Sequence, residues 1–333
     1  MVAENLGYET VDVPSARLYT GAQIPVIGLG TWKAQDEEVA EAVENALHVG
    51  YRHIDTAMMY SNHTAVGGAI HKVLKEAKIK REDLWVTSKL HNTHHAAAKV
   101  QEAAEGALKD LQLNYLDLFL VHWPVTGNKG PTIKPSIKET WQAMEKLVDQ
   151  GMVKHIGVSN FSVKKIKDLL TCARIKPAVN QIEVHPYFPN DYNIAWCRSQ
   201  EIHVTAYSPL GSPDSATMMN RPDDTPSLLH DETVKSVADK LGKNPAAVLV
   251  RWAIQHGTSV IPKSTSPSHL CSNLDVVDWM LPPGDFDALS RLPYQKRMVD
   301  GTMWVQKEGP FKSVDELWDG ETNGAPENSK AEE

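Results

Sequence analysis

The sequence predicts an α/β chain folded as a (β/α)8 barrel, the TIM-barrel architecture, and three observations predict it. Eight short apolar runs of β type alternate with longer amphipathic stretches, an order that calls for parallel strands joined by helical crossovers. Runs such as Leu116-Asp117-Leu118-Phe119-Leu120-Val121 are nearly continuous in apolar character, as strands covered on both sides should be. The chain has 333 residues, room for eight such units, for which about 250 residues is typical, in one domain spanning residues 1–333. An open doubly wound sheet is the competing arrangement. Its phosphate fingerprint is incomplete, because Gly28-Leu29-Gly30-Thr31-Trp32-Lys33 lacks the third glycine.

In chain order, residues 1–16 show no period. Arg17 to Ile24 predicts a small hairpin turning at Gly21. The strand runs come next: Val26–Thr31, His53–Ala57, Trp85–Leu90, Leu116–Trp123, His155–Asn160, Val179–Val184, Val204–Ser208 and Ser259–Ser264. Helical stripes lie between them. Val39, Val43, Ala46 and Leu47 share one face, as do Val100, Ala104, Ala107, Leu108 and Leu111. Trp141, Met144, Leu147 and Val148 form a third stripe, and Ile166, Leu169, Leu170 and Ala173 a fourth. Leu249, Val250, Trp252 and Ala253 form another before Gly257. Two long loops stand out, one from Trp123 to about Ser136 and one from Gly211 to Ser227. Loops of that length in a compact domain are usually functional or mobile. The polar end, Glu321–Glu333, predicts a disordered tail.

Composition narrows the function. A net charge of -8 argues against nucleic acid or an anionic membrane as the main partner. No apolar run spans a bilayer, and no secretory signal is visible at the start. Three cysteines without paired spacing fit a reducing, cytoplasmic compartment. The sequons at Asn62 and Asn160 are then chance matches.

In a barrel, chemistry gathers where strands end at the C-terminal face. The residues there are Thr31, Trp32, Asp55, Lys89, His122, Trp123, Ser159, Asn160, Gln181, Tyr207, Ser208, Lys263 and Ser264. A plain core would carry Val or Leu at such places. Asp55 ends its strand, and Tyr60 comes five residues later. A buried carboxylate beside a phenol makes sense when a cation lies between them, and Lys89 is the candidate. Its ammonium is expected to lower the phenol pKa from about 10, while Asp55 keeps it charged. His122 could hydrogen-bond a substrate carbonyl oxygen and the phenol. Together these groups would form a proton donor aimed at a developing alkoxide. No serine or cysteine with a partnered base competes. His91, His94 and His95 suggest a metal, but no acid or cysteine is spaced with them, so a solvated loop is the expectation and no metal is assigned.

These motifs resemble a known family. Gly50 to Tyr60 with Asn62 and Val66-Gly67, Val121-His122-Trp123-Pro124, Gly157-Val158-Ser159-Asn160-Phe161 and Ile261-Pro262-Lys263-Ser264 are similar to the aldo-keto reductases, over about residues 15–320. Glu316 to Glu321 is similar to the ending of plant-type members. The resemblance implies a monomeric, NADPH-dependent reductase of aldehydes and ketones. It implies Tyr60 as general acid, with Asp55, Lys89 and His122 completing a tetrad. For the cofactor it implies Gly30, Thr31, Trp32, Asp55, Ser159, Asn160, Gln181, Tyr207, Ser208, Pro209, Leu210, Ser212, Pro262, Lys263, Ser264, Thr265, His269 and Asn273. Ser159, Asn160 and Gln181 would hold the carboxamide and Tyr207 would stack on the nicotinamide. Lys263, Ser264 and Thr265 would grip the adenosine 2′-phosphate. Trp32 and Trp123, with Tyr60 and His122, would wall the substrate pocket.

The chain departs from the family pattern at His63, where Glu is usual, and at His91, where Trp is common. It also has His269 in place of an arginine and Ser272 in place of an acid. A neutral histidine lacks the bidentate fork of arginine, so NADH use becomes plausible. Two other functions keep the same fold: a Schiff-base lyase using Lys89 or Lys263, and a non-catalytic nicotinamide-binding regulatory subunit. Ser159-Asn160 has a bland alternative as a cap for the helix after Phe161.

Overall fold

A computed structural model describes residues 11–77, 79–127 and 130–326. A hairpin comes first: β1 (Ser15–Arg17) pairs antiparallel with β2 (Gln23–Pro25), with Ala16 opposite Ile24. Gly21 turns it at φ 87°, a left-handed angle that glycine adopts without strain. Leu18 and Ile24 then pack on Trp85, Leu118, Leu120, Ala178 and Val179, which seals the floor of the barrel.

Eight parallel strands come next: β3 (Leu29–Gly30), β4 (His53–Asp55), β5 (Trp85–Leu90), β6 (Leu116–Val121), β7 (Val153–Ser159), β8 (Val179–Glu183), β9 (His203–Tyr207) and β10 (Ser259–Val260). They neighbour one another in chain order. Parallel bridges Ile27–Val260 and Gly30–Lys263 join the two ends of that sheet and close the barrel. The seam is tight: a Cβ on Gly30 would lie 2.7 Å from the Ile261 carbonyl oxygen. The end strands are shorter than the predicted Val26–Thr31 and Ser259–Ser264, because only these single bridges continue the pairing there.

The predicted helical faces lie inward in α1 (Asp36–Val49), α3 (Ala97–Asp110), α4 (Ile137–Asp149), α5 (Val163–Leu170) and α8 (Pro245–Gln255). Val39, Val43, Ala104, Trp141, Met144, Ile166 and Trp252 are all buried. Ser136 and Glu139 form a reciprocal cap on α4, which satisfies donors that the helix start leaves free. Six helices lie outside the predicted stripes: α2 (His63–Lys75), α6 (Asp191–Ser199), α7 (Glu232–Leu241), α9 (Pro267–Leu274), α10 (Pro283–Ser290) and α11 (Val314–Trp318). Several are short, and α2 carries two glycines, which blurs the apolar period.

The boundary of the predicted tail needs correction. Glu321 is buried at 4% exposure and accepts from the Val163 backbone N–H at 3.0 Å. Chain up to residue 326 is placed, and residues 327–333 lie outside the described residues. Cys172, Cys197 and Cys271 are unpaired. Among the described residues no helix is long and apolar enough to cross a membrane.

Candidate active site

Asp55 is the last residue of β4, and the chain leaves it through a single 3-10 turn, Met58–Tyr60, that swings Tyr60 back over the strand ends. Ser61 ends that turn in the left-handed region, and Tyr60 N–H bonds Ala57 C=O at 3.0 Å. Lys89 lies on β5, the neighbouring strand, and is 1% exposed. Its ammonium has three protons and three acceptors: Asp55 Oδ1 at 2.5 Å, Thr56 C=O at 3.0 Å and Tyr60 Oη at 3.2 Å. The second Asp55 oxygen accepts from Gln181 Nε2 at 2.8 Å. A buried ion pair survives when its remaining bonding capacity is filled, and here it is.

The rings complete the group. Tyr60 and His122 meet edge to face with centroids 5.8 Å apart, and Trp32 lies 6.4 Å from Tyr60 on another side. The contact between His122 and the phenol ring is this edge-to-face packing, not the expected hydrogen bond. Asn160 ties the next strands in, donating to His122 C=O at 2.9 Å and accepting from Tyr207 Oη at 2.7 Å. Ser159 Oγ donates to Gln181 C=O at 2.9 Å. Neither residue caps the following helix. Ser162 does, accepting from Lys165 N–H.

The electrostatics correct one expectation. The Tyr60 pKa is raised well above 10, first by burial and then by the Asp55 carboxylate, not lowered by Lys89. Burial of the phenol is the larger cause, and the Asp55 carboxylate adds to it by disfavouring a second negative charge beside it. Burial also lowers Lys89 and raises Asp55, each against the pull of its partner. His122 falls well below 6.5, through burial first and then the charges of Lys89 and His91. The site therefore holds a protonated phenol and a neutral imidazole near pH 7.

Most of these side chains face one cavity of about 310 Å³ at the C-terminal end of the barrel. Its lining includes Gly30, Thr31, Trp32, Asp55, Tyr60, His122, Trp123, Ser159, Asn160, Gln181, Tyr207, Ser208, Pro209, Leu210, Ser212, Pro262 and Lys263. The other predicted residues lie beyond it. Ser264 is buried in the turn to α9, where its Oγ accepts from Ser266 N–H at 3.1 Å, Thr265 lies in the same turn, and His269 is exposed on that helix. Asn273 is buried further along α9. Lys89 is not on the cavity wall.

Some lining residues are not among the predicted site residues. Asp214, from the long loop after Gly211, bonds Lys33 at 3.2 Å and Lys263 at 3.4 Å. Burial works against its charge, but the two lysines outweigh burial and hold its pKa down. Its signal in the sequence is faint, an acid within a loop already rich in Asp. Val299, Met303 and Trp304 come from the C-terminal segment and form an outer wall with Trp123. Asn62 bonds Thr31 C=O at 2.9 Å and Ala34 C=O at 3.2 Å, pinning the exit of β3 to the start of α2. His63, the departure beside it, shares a bond with Ser88 Oγ at 3.0 Å, and burial lowers its pKa to about 4. His91 bonds Thr93 in its own loop. Among the described residues, no three His, Cys, Asp or Glu side chains gather as metal ligands.

A family model described as the aldo/keto reductase family matches residues 26–292. The chain belongs to the aldo/keto reductase family. With that membership it is an oxidoreductase of the carbonyl-reducing kind. It is 42% identical over 313 residues to aldo-keto reductase family 4 member C11 of Arabidopsis thaliana, covering 92% of this chain and 97% of that protein. It is 47% identical over 277 residues to aldo-keto reductase family 1 member A1 of Gallus gallus, covering 79% and 84%. The solved aldo-keto reductase of Bombyx mori, in complex with NADP, superposes with a TM-score of 0.81 at 34% identity, covering 89% of this chain and 97% of that one.

Proposed function

We propose that this chain reduces aldehydes and ketones to alcohols with NADPH, and that Tyr60 is the general acid. The observation that carries this reading is the phenol of Tyr60, 3.2 Å from an ammonium that Asp55 holds in place, beside a neutral His122 at a cavity floor. A nicotinamide dinucleotide, when bound, supplies the hydride. The residues present fit such a group. Lys33 and Lys263 offer charge for phosphate near Pro209–Ser212. Ser159, Asn160 and Gln181 would hold the carboxamide, and Tyr207, oriented by Asn160, would pack on the ring. Ser264, Thr265 and Lys263 would take the 2′-phosphate, with Asn273 near the adenine.

Tyr60 keeps its proton at neutral pH because its burial penalises phenolate. As charge builds on a substrate oxygen, the proton moves from Tyr60 Oη to that oxygen, and the Lys89 ammonium stabilises the phenolate left behind. His122, neutral, orients the carbonyl without competing as an acid. His269 offers no fixed fork to a phosphate, so NADH serves as a second reductant. Three unpaired cysteines support a reducing, cytoplasmic setting, and a monomer is the working state.

A lyase using Lys89 is not favoured: that amine is fully hydrogen-bonded and off the cavity wall, so no carbonyl reaches it. The assay is loss of NADPH or NADH absorbance with a panel of carbonyls. No aldehyde-dependent oxidation of either would reject the reading.

A further inference from the structure

The first turn of α5 is held from the far end of the chain. Lys165 N–H donates to Ser162 Oγ at 3.1 Å, and Ser162 gives its own proton to Asp319 Oδ2 at 2.5 Å. The two preceding N–H groups, of Val163 and Lys164, donate to the Glu321 carboxylate at 3.0 and 3.4 Å. A helix start leaves such donors free, and its dipole favours negative charge there. Lys165 Nζ closes the clasp on Asp319 Oδ2 at 2.5 Å and Leu317 C=O at 2.7 Å. Arg297 fixes Glu321 in turn, donating to its C=O at 3.0 Å while lying over the Trp318 ring.

Only Phe161 separates Ser162 from Asn160. Phe161 is buried, and its C=O accepts from Asn180 and Asn193, each at 3.1 Å, so the link has little slack. Asn160 sits in the left-handed region at φ 62°, and its amide joins His122 C=O to Tyr207 Oη.

We infer that Glu321 is a positioning residue for the nicotinamide end of the dinucleotide: by fixing where α5 begins, it sets the place of Ser159 and Asn160. The inference deepens the proposed reductase function and rests on it, since there those two residues hold the carboxamide. Glu321 itself does not line the cavity. Removing its carboxylate leaves the buried Val163 N–H without a partner, a penalty that the turn relieves by shifting. The shift passes to Ser159, Asn160 and Tyr207. It does not pass to the turn from Lys263 into α9, proposed for the adenosine end.

The test uses the full chain and two ligands, NADPH and 2′-phospho-ADP-ribose, which is the same dinucleotide without its nicotinamide. Calorimetric titration gives Kd for the wild type, Glu321→Ala and Glu321→Gln. Ala is expected to raise Kd for NADPH about tenfold, and Gln, which keeps one acceptor oxygen, about threefold. Kd for 2′-phospho-ADP-ribose should stay within about twofold in both, a split that a general loosening of the fold would not produce. If Ala does not fold, Gln decides alone. An unchanged Kd for NADPH overturns the inference, and so does equal weakening of both ligands. A wild type that binds neither ligand rejects the cavity as a dinucleotide site, and the inference with it.

Discussion

Gln181 Nε2 donates to Asp55 Oδ2 at 2.8 Å, filling the oxygen that Lys89 leaves open. The buried pair thus forms one bonded unit running from β5 through β4 to β8, and its members should fail together. Asp55→Asn and Lys89→Met each strand an unpaired group, at a cost of about 3–5 kcal/mol. The double variant should recover much of that stability, by a coupling of about 1–3 kcal/mol, while activity stays lost. Urea unfolding of the four proteins measures it; additive losses would mean that the pair does not act as a unit.

Removing only the phenol oxygen should separate binding from chemistry. Tyr60→Phe is expected to bind NADPH nearly as the wild type does and to reduce nitrobenzaldehyde about 10²–10⁴ times more slowly. Fluorescence titration and steady-state rates test this. Turnover comparable to the wild type would exclude Tyr60 as the acid.

Acid should unfold the protein through its buried histidines. Burial lowers His53 to about 3 and His63, His95 and His203 to about 4. An unfolded histidine takes a proton near 6.5, so between there and about 4 the unfolded chain binds more protons than the folded one. Stability should be full above pH 6.5 and fall steadily as pH drops towards 4. His203→Gln should flatten that slope by about one proton. Denaturation midpoints measured from pH 4 to 8 test the sign; no loss between 6.5 and 4 would contradict it.

Glu183 holds the outer wall. Buried at the end of β8, it accepts from Met298 N–H at 2.5 Å and Val299 N–H at 2.8 Å, and bonds His185 Nε2 at 2.8 Å. Glu183→Gln turns an NH2 towards one of these partners, which should cost about 1–3 kcal/mol. KM for a bulky aromatic aldehyde should rise, because Val299 lines the cavity, while KM for propanal changes little. A parallel rise for both would mean that the wall is not set by this residue.

His269→Arg should tighten NADPH relative to NADH by roughly tenfold, about the 1.5–3 kcal/mol of a charged hydrogen bond discounted for exposure. Competitive binding with each dinucleotide decides it. An unchanged ratio would place the phosphate elsewhere.

Much of this architecture is legible in the sequence, for identifiable reasons. The strands carry short apolar runs with polar residues at their ends, and Asp55, Lys89 and Gln181 stand out because such positions are otherwise Val or Leu. The direction of the Tyr60 pKa is not legible. It depends on how deeply the phenol is buried and on the Asp55 carboxylate acting on it, and spacing along a chain carries neither. Asp214 and Glu183 escape for a related reason: each acts on a residue distant in sequence, across a loop whose path no local period describes. Glu321 misleads because a polar ending resembles a solvated tail until a partner such as Val163 N–H is known.

The seam where Gly30 meets Lys263 has a bearing on biosynthesis. The strands it joins are the first and last of the barrel, so a chain emerging from the ribosome carries two raw sheet margins until residue 263 is made. Through most of translation those unpaired edges are open to mispairing with other nascent chains, and the pocket gains its outer side later still, when Val299, Met303 and Trp304 are made.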